Sequence, residues 1–199
     1  MKKILTNLFI LFLLSFYQSS KAQTLDCQSN LSVSLDAYGD YHFAIEELIL
    51  NVDVSGETIY EISPQNLSCS DIGTVEVVVT AISIINGNSI DCSVMVLVED
   101  KMPPVVVTNM NVNVTIPQSG VFQLTPDMID QSSYDNCGIA SMSIEPQMVD
   151  CSDVGNTITA VLTVEDVNGN TNTSWTEITV SDKIKPTPYF LPMVTILVN

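Results

Sequence analysis

A chain of 199 residues with 23 Asp and Glu against six Lys, no Arg and one His carries a formal charge of −17. Clustered cations are what neutralise phosphate, so nucleic acid and anionic lipid surfaces are excluded as partners. His42 is the lone His, few groups are present that act as a base near neutrality, no catalytic triad assembles, and the chain reads as non-enzymatic.

The N-terminus, MKKILTNLFILFLLSFYQSSKA, sets Lys2 and Lys3 ahead of an apolar run from Leu8 to Phe16 and closes on Ser20 and Ala22. This is the pattern of a secretory signal peptide spanning 1–22. The run is shorter than the roughly 20 apolar residues of a membrane helix, so no membrane insertion is expected after cleavage. The remaining chain has three Lys against 23 acids, 3 − 23 = −20. Such a surface keeps a β-rich chain soluble and attracts divalent cations.

From Leu31 onward apolar and polar residues alternate, Leu31, Val33 and Leu35, then Tyr41, Phe43 and Ile45 after a turn at Tyr38-Gly39-Asp40. This is the period of a strand. The pattern then repeats. Cys69, Ser70, Asp71 and Gly73 recur as Cys151, Ser152, Asp153 and Gly155, and Asn86-Gly87-Asn88 recurs as Asn168-Gly169-Asn170. Asp100, Lys101 and Pro104 recur as Asp182, Lys183 and Pro186, every pair 82 residues apart. The opening strands, with Val112, Val114 and Ile116 in the second copy, are 81 apart, which places a one-residue change between Ile49 and Asp53 or around Asp130. A fixed period of this length is the signature of tandem domains.

Within the second copy, Thr125-Pro126-Asp127 predicts one helical turn and Asp135-Asn136-Cys137-Gly138 a turn. Ile158, Ala160, Leu162 and Val164 lead to a hairpin at Asn168-Gly169, read as a type I′ turn, and Thr176, Ile178 and Val180 return. In the first copy, Val75 to Ile85 is too uniformly apolar for its faces to be assigned. About seven short strands per copy and no amphipathic helix indicate an all-β chain of two tandem immunoglobulin-like sandwiches. The boundaries fall at 25–104 and 105–186, with 187–199 as the first strand of a truncated third repeat. The linkers Asp100–Pro104 and Asp182–Pro186 are short and stiffened by Pro.

Five Cys in an exported chain imply disulfides and one leftover thiol. Cys27 and Cys92 both lack counterparts in the second copy, where Thr108 or Asn109 and Ser174 stand, so they are paired with each other. Cys137 matches Ser55 and is paired with Cys151, leaving Cys69 free; a pairing of Cys69 with Cys27 or Cys92 is the competing assignment.

The order Asp135-Asn136-Cys137-Gly138, Cys151 with Gly155, Asp166 with Gly169-Asn170, then a Val-rich strand into an Asp and Pro linker, resembles the hyalin repeat (HYR) of extracellular proteins. The Lys-rich signal resembles those of secreted Bacteroidetes proteins. The resemblance implies immunoglobulin-like repeats in an array, associated with cell adhesion, and secretion with association to the cell surface. The first copy departs from the pattern at Ser55 and Ile84, the second at Ser174.

No cofactor is required by this reading, and calcium is the candidate. Asp166, Asn168 and Asn170 surround a glycine in the manner of an oxygen-rich loop without the full spacing of a helix-loop-helix site. With Asp100 and Asp182 in the linkers and Asp135 and Asn136 in a loop, they are candidate ligands for a cation that stiffens the array; turn formation explains the same residues without a metal. Trp175, the sole Trp, alternates outward and is a candidate binding platform or a cover for the sandwich rim. The function expected is an adhesive or structural module, a stalk or interaction surface whose partners are a protein or glycan at the cell surface and neighbouring repeats. The alternative is a carbohydrate-binding accessory module of a larger exported hydrolase.

Overall fold

The computed structural model describes residues 23–53 and 57–188; the signal peptide expected at 1–22 and all but the first two residues of the strand expected at 187–199 lie outside them. Two compact units are present. Of the described residues, one comprises 23–34, 40–53 and 57–99, the other 35–39 and 100–188. The linker Asp100–Pro104 therefore belongs with the second unit.

The first unit contains β1 (Thr24–Cys27), β2 (Asn30–Ser34), β3 (Asp40–His42), a helical turn at Ile45–Leu48, β4 (Ile49–Asp53), β5 (Thr58–Ser63), β6 (Asn66–Ser68), β7 (Gly73–Ser83) and β8 (Ser89–Glu99). Its main sheet is ordered β2-β8-β7-β5, with β2 parallel to β8, and the pairs β1-β4 and β3-β6 complete an immunoglobulin-like sandwich. The second unit repeats this plan with β9 (Asn111–Thr115), β10 (Val121–Gln123), β11 (Ile139–Glu145), β12 (Met148–Asp150), β13 (Thr157–Asp166) and β14 (Thr171–Ser181). Its main sheet is β9-β14-β13-β11, β10 pairs with β12, and the bridges Val105 to Tyr134 and Thr108 to Asp130 stand where the first unit has β1-β4.

Alternation decides which side chains are inside, and it holds in both units. Val114, Ile144, Ala160, Leu162, Val164, Ile178 and Val180 share one core cluster. The strand whose faces were unreadable resolves in the same way: Val77, Val79, Ala81 and Ser83 of β7 point inward, against Val94, Val96 and Val98 of β8. The expected turn at Thr125 is one turn of 3-10 helix, Pro126–Met128, with Pro at its first position. Its counterpart, Ile45–Leu48, is held by Glu47, whose carboxylate accepts the Tyr41 hydroxyl at 2.9 Å. Partial burial first, then this bond, raises the Tyr41 pKa above its ordinary value. Both turns drive one side chain, Leu48 or Ile129, wholly into the core.

The registers show that the two copies differ by three single-residue shifts, which a flat offset of 82 conceals. The offset of 81 persists past Asp130, through Asp53 and Tyr134 and through Thr58 and Ile139. It becomes 82 at a β-bulge between Ile139 and Ser141, where Ala140 is the added residue; the change is here, not in the stretch Ile49–Asp53 or around Asp130. A second residue enters between Gly155 and Thr157, so that β7 matches β13 at 83. The hairpin then gives one back. Four residues, 167–170, join β13 to β14, where five, 84–88, join β7 to β8. Only Gly169 has positive φ in the shorter loop, so this is not the two-residue type I′ turn expected, which needs two such residues.

Ser83, not Ile84, is therefore the structural counterpart of Asp166. Both are buried, at 0% and 1% exposure, and the same backbone bonds close both loops: Ser83 N–H to Asn88 C=O, and Asp166 N–H to Asn170 C=O. The Ser83 hydroxyl is buried without a hydrogen-bond partner among the described residues. An unmet buried donor costs about 1–3 kcal/mol. Ser83→Ala is expected to raise unfolding free energy in urea by about 1 kcal/mol; a loss of stability would show that the hydroxyl is bonded in solution.

Candidate functional site

Chemistry concentrates at the β13-β14 hairpin. Asp166 ends β13 on its core side, and one carboxylate oxygen accepts the N–H groups of Asn168 at 2.8 Å and Asn170 at 2.9 Å. Its other oxygen accepts the Asn170 side-chain amide at 2.8 Å. A carboxylate in this position closes the loop because it offers several lone pairs to converging donors. Nearby, Asp135 does the same for its own turn, accepting the N–H groups of Cys137 at 2.8 Å and Gly138 at 3.0 Å. Val167 N–H bonds Gly138 C=O and holds the two loops side by side.

The third acid arrives on the linker. Asp100, 7% exposed, accepts Met102 N–H at 3.1 Å and the side-chain amides of Asn168 at 2.8 Å and Asn136 at 3.3 Å. Asn170 reaches the Asp100 and Met102 carbonyls, and Asn172 the Pro104 carbonyl at 2.9 Å. Three alternate asparagines thus lash the linker to the hairpin. From the sequence Asn172 stands out as a glycosylation sequon and not as part of this site, although the spacing Asn168, Asn170, Asn172 at the mouth of a hairpin is visible there.

One oxygen from each of Asp100, Asp135 and Asp166 lies within 4.8 Å of the others. The donor set is all oxygen and anionic, as a hard cation requires. Turning the Asn136 or Asn168 amide by half a revolution presents a further oxygen to the same spot. Six of the seven sequence candidates, Asp100, Asp135, Asn136, Asp166, Asn168 and Asn170, are brought together. Asp182 is not. It repeats the local bond of Asp100, accepting Ile184 N–H at 2.8 Å, but it shares a groove with Gly120 and Cys151 at the far end of the unit.

The same distance corrects the disulfide assignment. Cys27 and Cys92 are bonded as expected, with Cα atoms 5.7 Å apart. Their counterparts Thr108 and Ser174 place their hydroxyl oxygens 3.0 Å apart, so a hydrogen bond fills the place of the disulfide. Cys151, however, is the free thiol, and Cys69 and Cys137 are both disulfide-bonded. Cys137 lies beside the Asp166 end of β13 and Cys151 beside its Thr157 end, ten residues or about 30 Å away. Disulfides need Cα atoms within about 7 Å. Cys151 instead opens a 3-10 turn, Cys151–Asp153, capped by Asp150, and its thiol lies 3.5 Å from the Gly120 carbonyl. Bonds from the Ser152 hydroxyl and N–H lower the Asp150 pKa.

Two further candidates stand apart from this cluster. His42 is exposed and hydrogen-bonded to the Asn66 amide oxygen at 2.7 Å, with no nucleophile at that contact. Trp175 is 63% exposed in the middle of β14, across from Val161 on β13.

No family model matches the chain, and no curated protein does. Among solved structures, it is similar to human protocadherin-24 EC1-2 at 12% identity, with 81% of this chain and 100% of that one covered and a TM-score of 0.38. Against Drosophila N-cadherin EC1-4 the identity is 10%, the coverage 81% and 50%, and the TM-score 0.40. Against an endo-fucoidan hydrolase of glycoside hydrolase family 107 the identity is 14% and the TM-score 0.32; 84% of this chain is covered, and it spans 30% of the hydrolase.

Proposed function

We propose that the chain is a non-enzymatic extracellular module of hyalin-repeat type, a stalk or interaction surface, whose second repeat secures its entry linker with a divalent cation of the calcium class. The gathering of Asp100, Asp135 and Asp166 carries this reading. Two of these acids are almost fully buried, and the Asp100 segment is tied to the hairpin by three asparagines. A cation held there converts a hydrogen-bonded linker into a rigid one, which is what a load-bearing repeat needs. Four bonded cysteines support an oxidising, extracellular setting. Among the described residues no helix is long and apolar enough to cross a membrane.

Calorimetry on the whole chain tests the cation. At a calcium concentration about 100 times the dissociation constant, binding adds about 2.7 kcal/mol, enough to raise the melting temperature of a domain this size by about 10 °C or more. EDTA removes the increment, and Asp166→Asn abolishes it. Melting curves that superpose with calcium and with EDTA overturn the cation reading, and leave the hydrogen bonds among Asp100, Asn168 and Asn170 as the whole of the site.

A further inference from the structure

We propose that the outward face of the β9-β14-β13-β11 sheet binds a neutral polysaccharide, with Trp175 as the ring on which one sugar stacks. Trp175 occupies an inner strand, not a rim, and its side chain points away from the core that Thr176 and Ile178 enter. The fold does not call for it. At the equivalent place in the first unit, Val78 is opposite Ser93, as Val161 is opposite Trp175 here, and the same sheet forms with the smaller residue.

The setting of the indole selects the ligand. Three rows cross the face in register: Glu145, Val161 and Trp175 in the middle, Ser143, Thr163 and Thr173 on one side, Thr159, Glu177 and Asn111 on the other. Except for Val161, every neighbour in these rows carries a hydroxyl, an amide or a carboxylate. A protein hot spot is ringed by other contacts that exclude water; a single aromatic ring in a field of hydrogen-bonding groups instead matches a pyranose, apolar on its C–H face and hydroxylated at its rim. Strands about 4.8 Å apart, with alternate residues outward, offer a regular grid of such groups to an extended chain. Charge removes the acidic polysaccharides. The rows bear two carboxylates and no cation, so uronate or sulfate groups are repelled.

Trp175 is the sole Trp, so its emission reports the site directly in the whole chain. The probes are soluble oligosaccharides of neutral β-glucan, xylan and mannan, with alginate and a sulfated fucan as anionic controls. A saturable emission change with at least one neutral probe is expected. In affinity electrophoresis Trp175→Ala should weaken retention at least tenfold, Trp175→Phe should keep part of it, and neither should alter the melting temperature. EDTA should leave the response unchanged, which separates this site from the cation cluster. The proposal is overturned if every neutral probe leaves the emission unmoved, if Trp175→Ala binds as the parent does, or if the response is confined to anionic chains or to a protein.

Discussion

Replacing Cys27 with Thr and Cys92 with Ser is expected to lower the unfolding free energy by about 3 kcal/mol. The bond closes a loop with a sequence separation of 65, which the chain-entropy account values at about 4 kcal/mol. The second unit supplies the replacement pair. Thr108 and Ser174 occupy the same two positions and join by a hydrogen bond at 3.0 Å. Such a bond returns about 1 kcal/mol, so the Thr and Ser exchange should cost less than a double Ala exchange by that amount. A domain of this size has some 5–15 kcal/mol in all, and the loss corresponds to about 12–24 °C in melting temperature. Thermal melts followed by circular dichroism decide it: a variant that melts with the parent would mean that packing alone sets the stability of the first unit.

The pairing of Cys27 with Cys92 was readable because both are absent from the second copy, and a disulfide is lost as a pair. The same reasoning failed for Cys137 and Cys151. Matching each cysteine to the residue in the other copy, Cys137 to Ser55 and Cys151 to Cys69, does not show that β11 starts at one end of the unit and that Cys151 lies beyond the other end of β13. Alternation revealed the strands and the core, since burial on one face of a sheet imposes a period of two. It left the assignment of equivalent residues wrong at β7 and β13, because turn residues repeated on both sides held the offset at 82 while an inserted and a lost residue cancelled between them. Register is a property of hydrogen bonds between strands, and only the ladder shows that Ser83 and Asp166 are the same position. The cation candidates were legible as residues with oxygen ligands near glycines. Their sharing of one cation was expected as well; the contacts that gather them were not legible. Asp100 is 35 residues from Asp135 and 66 from Asp166, and what joins them is the docking of the linker by Asn168, Asn170 and Asn172. Asp182, which shares with Asp100 the following Lys and the Pro four residues on, fails for the same reason: its local bond to Ile184 N–H is present, but the hairpin is at the other end.

Asp166→Ala is expected to destabilise the second unit by about 3–5 kcal/mol even without metal. The substitution strips the acceptor from three bonds, those of Asn168 N–H, Asn170 N–H and the Asn170 amide, at a place that is 1% exposed. Bonds to a charged acceptor contribute about 1.5–3 kcal/mol each, and the second carboxylate oxygen has no substitute. Asp166→Asn should cost about half as much, since its remaining oxygen still accepts both backbone N–H groups while its new NH₂ faces the Asn170 amide, donor against donor. Asp166→Ser does not import the solution of the first unit. There Ser83 closes a loop of five residues, here the loop has four, and the Asn170 amide would be left without its carboxylate. Urea unfolding followed by Trp175 emission, which reports the second unit, gives the ranking: parent above Asn, Asn above Ser and Ala. If Asn and Ala fall together, the charge and not the hydrogen bonding of Asp166 sets its contribution, and the cluster is then held by something positive.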